Sequence, residues 1–247
     1  MKRLIIMTAF LSTCMLGIAQ SEDNYSMYVY LSGGDVKYFL ISEVDSVVFT
    51  EVSGASSDDS TNSSDTTYIN GYAAVDLGLS VLWATCNIGA DSPEDYGDYF
   101  AWGETETKDT FNIDTSVTYH VSMSDISGNA EYDAATANRG GSWRMPTYDE
   151  MKELVDSCTW TWTVNSLVYY GYKVTSNVNG NSIYLPAANF LYETSFSVPI
   201  PYGSYWSSTP STSDASSAFA LYFYDSYSGV HSNLRYYGRS VRPVSDY

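Results

Sequence analysis

Near the carboxyl end, the stretch ALYFYDSYSGVHSNLRYYGRSVRPV (residues 220–244) sets tyrosines, serines, an asparagine and a histidine between apolar residues. Read as a strand, residues 218–224 alternate, with Phe219, Leu221 and Phe223 on one face and Ala220, Tyr222 and Tyr224 on the other. One face is expected to enter a core and the other to carry its tyrosines outward. Asp225, Ser226, Tyr227 and Ser228 then read as a turn closed by Gly229, followed by His231, Ser232 and Asn233. Tyrosine mixed with serine, glycine and asparagine is the composition of recognition loops: the phenol ring offers rigid amphipathic area while the small polar groups adapt their hydrogen bonds. The candidate ligand-binding set is therefore Tyr222, Tyr224, Asp225, Ser226, Tyr227, His231 and Asn233. Aromatic rings stack on sugar faces, and flanking carboxylates and amides bind hydroxyls, so a carbohydrate or a protein ligand fits. The competing reading is structural, since tyrosines also cover outward sheet faces.

Catalytic chemistry finds less to work with. The chain has only two histidines, His120 and His231, and nothing in it resembles HExxH or paired CxxC spacing. A serine nucleophile lacks its GxSxG turn, and its alternative, a partnering histidine, depends on distances that a sequence does not carry. Asp91, Glu94, Asp95 and Asp98 in DSPEDYGD offer oxygen ligands of the kind calcium takes, but without an EF-hand loop they read as a solvated turn. No catalytic residue, metal site or cofactor is expected, and the chain reads as a non-enzyme.

Composition bounds the partners. The formal net charge of the 247-residue chain is −18. Removing residues 1–19, which hold two cations and no acids, would take it to −20. Such a surface repels nucleic acid and anionic headgroups. Lys2 and Arg3 precede an apolar run from Leu4 to Ile18 that ends at Ala19, the pattern of a secretory signal peptide cut after Ala19 and too short to span a bilayer. A secreted or cell-surface location follows, with no transmembrane segment. A second reading takes Leu11 to Cys14 as a lipobox and Cys14 as a lipid anchor. The remaining cysteines, Cys86 and Cys158, are an even pair in an oxidising compartment. They are a disulfide candidate or two small buried hydrophobes.

The elements that must position these residues follow from pattern. Residues 20–50 read as a small β unit, with strands at Ser26 to Leu31, Val36 to Ile41 and Ser46 to Thr50 and a turn at Gly33, Gly34 and Asp35. Residues 51–67, EVSGASSDDSTNSSDTT, have almost nothing apolar and read as a disordered linker. Residues 68–247 are enough for one domain. Strands are expected at 81–86, 99–102, 171–176, 182–185, 218–224, 229–234 and 240–244, with a hairpin turn at Asn179 and Gly180. In RMPTYDEMKELVDSC, Thr147 and Glu150 form a capping box, and Met151, Leu154 and Val155 share one helical face. A shorter helix is expected around Asp133 to Ala137. Trp206 reads as core, and Arg239 and Arg242 as partners for this chain's acids.

Several blocks carry a resemblance: VDLGLSVLWATCNIGA (75–90), YGDYFAWGET (96–105), GGSWRMPTYDEMKEL (140–154), CTWTW (158–162), NSIYLPAA (181–188), GSYWSS (203–208) and RYYGRSVRPV (235–244). Together they resemble the Fibrobacter succinogenes major paralogous domain family, exported bacterial proteins related to the formylglycine-generating branch of the C-type-lectin-like fold. Tyr28 to Thr50 resembles a leader unit found ahead of such domains. The resemblance implies an α+β, C-type-lectin-like domain whose terminal strands pair and whose irregular section carries a ligand surface. It implies no catalysis: the formylglycine-generating relatives use paired cysteines near their carboxyl end, whereas the last cysteine here is Cys158. An oxidase is thus a third reading, behind a binding protein and a docking component of a bacterial surface assembly. The variable proteins of diversity-generating retroelements are also similar in their carboxyl-terminal recognition segment.

Overall fold

The computed structural model describes residues 14–20, 25–31, 36–40, 67–164, 169–198 and 201–247. The chain divides into two compact units, residues 1–61 and 62–247. In the first, strands β1 (Cys14–Gln20), β2 (Tyr25–Leu31) and β3 (Val36–Leu40) form an antiparallel meander, with Tyr28 opposite Tyr38 and Gly17 opposite Tyr28. Two expected strands are therefore present. The glycine turn, the strand at 46–50 and residues 51–66 of the linker lie outside the described residues. Strand β1 occupies the end of the segment read as a signal peptide, so a chain cut after Ala19 would retain the β2–β3 hairpin and only Gln20 of β1.

The second unit is α+β, with strands predominating. A five-stranded sheet runs β4 (Thr67–Ile69), β5 (Tyr72–Asp76), β6 (Leu82–Ala84), β16 (Val244–Ser245), β7 (Trp143–Arg144), so that Val244 pairs with Trp83 on one side and Arg144 on the other. The end of the domain is thereby stitched to its beginning. A second sheet joins β8 (Cys158–Val164), β9 (Tyr170–Ser176) and β10 (Ser182–Pro186) in the order β10-β9-β8. Two short strands, β11 (Leu191–Tyr192) and β12 (Ser195–Phe196), pair with each other. The third main sheet is a meander of β13 (Gly203–Pro210), β14 (Ser217–Tyr224) and β15 (Tyr227–Leu234).

The two helices start where side chains can satisfy free amides. Helix α2 (Tyr148–Ser157) opens on the full capping box: Glu150 N–H donates to Thr147 Oγ1 at 3.3 Å and Thr147 N–H to Glu150 Oε2 at 2.8 Å. Its Met151 and Leu154 are buried and Val155 packs beside them. Helix α1 (Ala134–Arg139) is capped by Asp133, a buried carboxylate that accepts from the amides of Ala135, Thr136, Gly128 and Met145 at 2.8–3.0 Å. One side chain thus ties the helix start to the loop before it and to the residue that follows β7.

Two apolar clusters flank the third sheet. The first gathers Trp83, Met151, Leu154, Tyr172, Val174, Leu185, Leu221 and Phe223. The second gathers Phe100, Trp102, Met145, Trp206, Ala220 and Tyr222. Strand β14 is therefore covered on both faces along most of its length, with Leu221 and Phe223 entering one cluster and Ala218, Ala220 and Tyr222 the other. Trp206 is fully buried, as its size suggested.

Two expected strands are not regular. Of residues 99–102, Phe100 makes an isolated bridge to Arg239, each amide donating to the other's carbonyl at 3.0 Å. Of residues 240–244, Ser240 bridges Tyr205 and the strand proper begins only at Val244. This segment threads the interior between two clusters, so its amides find partners one at a time. Among the described residues, no helix is long and apolar enough to cross a membrane.

Candidate functional site

The exposed residues of the third sheet are Tyr224 and Tyr227 at the tip of the β14–β15 hairpin and His231 and Ser232 along β15. Tyr224 faces Tyr227 across a turn of Asp225 and Ser226, so Tyr227 and Ser228, expected in the turn, belong to β15 instead. Direct pairing puts Tyr222, Tyr224, Tyr227, Gly229 and His231 on one face of the hairpin. The rings of Tyr224 and Tyr227 stack at 5.5 Å and 23°, and those of Tyr227 and His231 at 5.9 Å and 19°. The Tyr227 hydroxyl is also hydrogen-bonded to His231 Nε2. Gly229 makes this possible, because a Cβ there would collide with the Tyr227 hydroxyl. The hydroxyl of Tyr172, on the neighbouring sheet, reaches the carbonyls of Tyr224 and Asp225, both at 3.0 Å, and fixes the turn.

The seven sequence-predicted residues divide. Tyr224, Asp225, Ser226 and Tyr227 are exposed at the hairpin tip, His231 is exposed further along β15, and Asn233 is half-buried, its carboxamide oxygen accepting from the Leu234 amide. Tyr222 is corrected: it is only 5% exposed. The period-two assignment of faces holds, but the expectation that one face is free fails there because the second apolar cluster covers it. Burial pushes the Tyr222 phenol above its ordinary pKa, with the Arg239 charge opposing.

Tyr222 connects the tip to rings that the sequence did not single out. From Tyr222 the aromatic contacts pass to Tyr202 (5.8 Å), Phe190 (5.9 Å), Tyr237 (5.1 Å), Tyr236 (4.7 Å) and Tyr119 (5.3 Å). Tyr192 lies beside both Tyr236 and Tyr237. Tyr192 is exposed and the other rings of this arm are half-buried. The one advance signal was the pair Tyr236–Tyr237 in RYYGRSVRPV, since nothing local brings residues 119, 192 and 202 to it.

Three arginines lie beneath or beside this face, and Arg239 and Arg242, expected to pair with acids, form no ion pair among the described residues. Arg239 is fully buried, its guanidinium carbon 4.7–5.5 Å from the rings of Trp206, Phe190, Tyr222 and Tyr237. Its three nitrogens have no hydrogen-bond partner among the described residues, so π faces supply its electrostatic support. Burial lowers its pKa, with nearby phenols opposing. Arg235 lies 4.1 Å over Trp102 and donates to the carbonyls of Ser217, Thr118 and Val121, clamping the loop that presents Tyr119 and His120. Arg242 donates to the carbonyls of Ala84 and Thr85 and to Asn87 Oδ1, pinning the carboxyl-terminal segment to β6 and the loop after it. These buried cations find carbonyls and rings, while the one fully buried carboxylate among the described residues, Asp133, is taken up by backbone amides.

Ser216 Oγ lies 2.5 Å from His120 Nδ1, the pairing that spacing left open. Ser216 is buried, however, and the Asp214 carboxylate accepts from the Ser216 amide and the Ser217 hydroxyl, an arrangement that braces a turn. His120 has φ +65°, in the left-handed region, where the Arg235 clamp holds it. Among the described residues no group of three or more His, Cys, Asp or Glu side chains could hold a metal ion. Asp95 accepts from the Ser92 amide at 3.1 Å, as a turn carboxylate does. Cys86 and Cys158 are both free, which corrects the disulfide alternative: Cys158 ends α2 inside the first cluster, whereas Cys86 follows β6 beside Thr85. Away from the aromatic face, an open groove of about 420 Å³ is lined by Thr85, Glu94, Thr163, Lys173, Ser182 and Tyr184, among others.

Comparison with known proteins gives one family. Residues 73–245 match the model of the Lcl C-terminal domain. No curated protein and no solved structure matches the chain. The match takes in every sheet and helix of the second unit except β4 and the first residue of β5, and on that extent the chain belongs to the Lcl C-terminal domain family.

Proposed function

We propose that this is an exported, non-catalytic binding protein, built on a C-type-lectin-like domain of the major paralogous kind, that takes a carbohydrate or protein ligand on the aromatic face ending in the β14–β15 hairpin. The observation that carries the reading is the stacked set Tyr224–Tyr227–His231. Tyr224 and Tyr227 are 39% and 37% exposed, yet all three rings are held by each other, by the space Gly229 leaves and by the Tyr172 hydroxyl at the turn. Rigid, amphipathic rings lose little conformational entropy on binding, which is what a contact surface needs. Asp225 and Ser226, exposed in the turn between them, add groups that can bond hydroxyls or backbone amides.

The test uses residues 20–247, screened on a glycan array and against surface-protein extracts beside a Tyr227→Ala, His231→Ala double variant. The expected result is a ligand bound by the natural chain and lost in the variant, with the melting temperature changed by no more than a few degrees. A ligand bound equally by both chains would place recognition elsewhere.

A further inference from the structure

Resting on that binding reading, the geometry points to one ligand class: we propose that the face takes an extended, neutral glycan chain lying across several rings, not a single sugar, an acidic polysaccharide or a protein. Extent is the first argument. From Tyr119 through Tyr236, Tyr237, Phe190, Tyr202, Tyr222, His231 and Tyr227 to Tyr224, eight successive ring contacts of 4.7–6.2 Å form one uninterrupted path. Its most open rings lie at the hairpin end and at Tyr192, which branches from the path beside Tyr236 and Tyr237. Tyr224, Tyr227 and His231 are exposed at the hairpin, and Tyr192 is 44% exposed beside Tyr236, one ring short of the half-buried Tyr119. Between them Phe190, Tyr202 and Tyr237 keep part of their surface open, and Tyr222 alone is sealed. A single sugar engages one end. A chain of several units engages both, and the second contact is then intramolecular.

Charge is the second argument. The cations of this face, Arg235 and Arg239, are buried beneath it, whereas Asp214, Glu193 and Asp225 are exposed around it on a chain of net charge −18. Sulfated, carboxylated and phosphorylated chains meet repulsion and no accessible positive partner. Chemistry is the third. At the hairpin the aliphatic side chains Leu221 and Val230 pack into the first cluster, on the opposite face, so the open apolar area here is rings alone. Ring faces carry negative charge density that suits the C–H faces of sugars, and phenol, imidazole and carboxamide groups at their edges match hydroxyls.

The experiment measures residues 20–247 against β-glucan, xylan and mannan by affinity electrophoresis, with pectin and dextran sulfate as acidic comparators, and follows any retained polymer with its oligomers of two to six units by calorimetry. The expected result is retention by at least one neutral polymer and by neither acidic one, with affinity rising on the order of tenfold from dimer to hexamer. Tyr192→Ala should abolish that rise and leave the dimer unchanged; Tyr227→Ala should weaken every length. Retention only by the acidic polymers, by none of the five, or without dependence on length or on Tyr192 would overturn the proposal. A protein or a single sugar bound through Tyr227 would overturn it while sparing the binding face, whereas a ligand indifferent to both substitutions would overturn the face as well.

Discussion

The guanidinium carbon of Arg239 lies 4.9 Å from the centre of the Tyr222 ring, and both side chains are buried. With Phe190, Trp206 and Tyr237 the ring completes an aromatic enclosure around a charge that meets no carboxylate among the described residues. A planar, weakly hydrated guanidinium can lie against several rings at once; an ammonium is a compact, strongly hydrated charge that cannot. Arg239→Lys is therefore expected to lower the unfolding free energy by about 2–4 kcal/mol, and more than Arg239→Met, which removes the desolvated charge together with its ring contacts. Urea titrations of the three chains check this. A Lys variant as stable as the natural chain would mean that charge alone suffices.

Tyr222 and Tyr224 are two residues apart on the same strand face, yet the structure gives them different work. Truncating Tyr222 opens a cavity between Trp206, Tyr202 and Arg239, and Tyr222→Ala should cost about 3–5 kcal/mol. Tyr224→Ser should cost less than about 1 kcal/mol and weaken ligand binding. Denaturation curves separate the two. Equal losses of stability would show that the hairpin tip is part of the core.

The division between what could and could not be read from sequence follows the range of the forces involved. The Thr147–Glu150 capping box, the Asp133 helix start and the faces of β14 are set by neighbours within a few residues, and the structure has all three. The burial of Tyr222 is set by a second layer, in which Trp206, Phe100 and Trp102 come from distant segments. Alternation names the two faces of a strand without saying that both are covered. The same limit applies to Arg239, whose rings come from residues 190, 206, 222 and 237, and to Tyr119 and Tyr192, which reach the site through the Arg235 clamp and the β11–β12 pair. Composition suggested acids as partners for the arginines, but a carboxylate loses more by leaving water than a ring or a carbonyl does.

Residues 20–247 should titrate as two thiols per chain when denatured without reductant. In the folded protein Cys86, which is partly exposed, should alkylate first. Cys158 is protected twice: it is only 7% exposed, and burial, aided by the Glu153 charge, pushes its thiol up to about 11. Only the thiolate attacks the reagent, so labelling of Cys158 at pH 8 should await unfolding. Peptide mapping after timed alkylation reads both sites. Fewer than two thiols would return the disulfide.

Alkali should destabilise this protein progressively. Burial raises Cys158 from 9.0 to about 11, and it raises the phenols of Tyr99, Tyr202 and Tyr205 above their ordinary value as well, with the Arg242 charge opposing at Tyr205. For each group the folded pKa exceeds the unfolded one, so between the two values the unfolded chain binds fewer protons and the unfolding free energy falls as pH rises. Stability should thus be nearly level to about pH 9 and decline steadily above it, as melting temperatures recorded from pH 7 to 11 would show. Tyr205 provides the control. It is fully buried, and its hydroxyl donates to the Pro186 carbonyl at 2.6 Å. Tyr205→Phe should cost about 1 kcal/mol at pH 7 through that bond, and should make the decline above pH 9 shallower by removing one phenol that must ionise on unfolding. A variant that keeps the natural slope would assign the alkaline limb to the other buried groups.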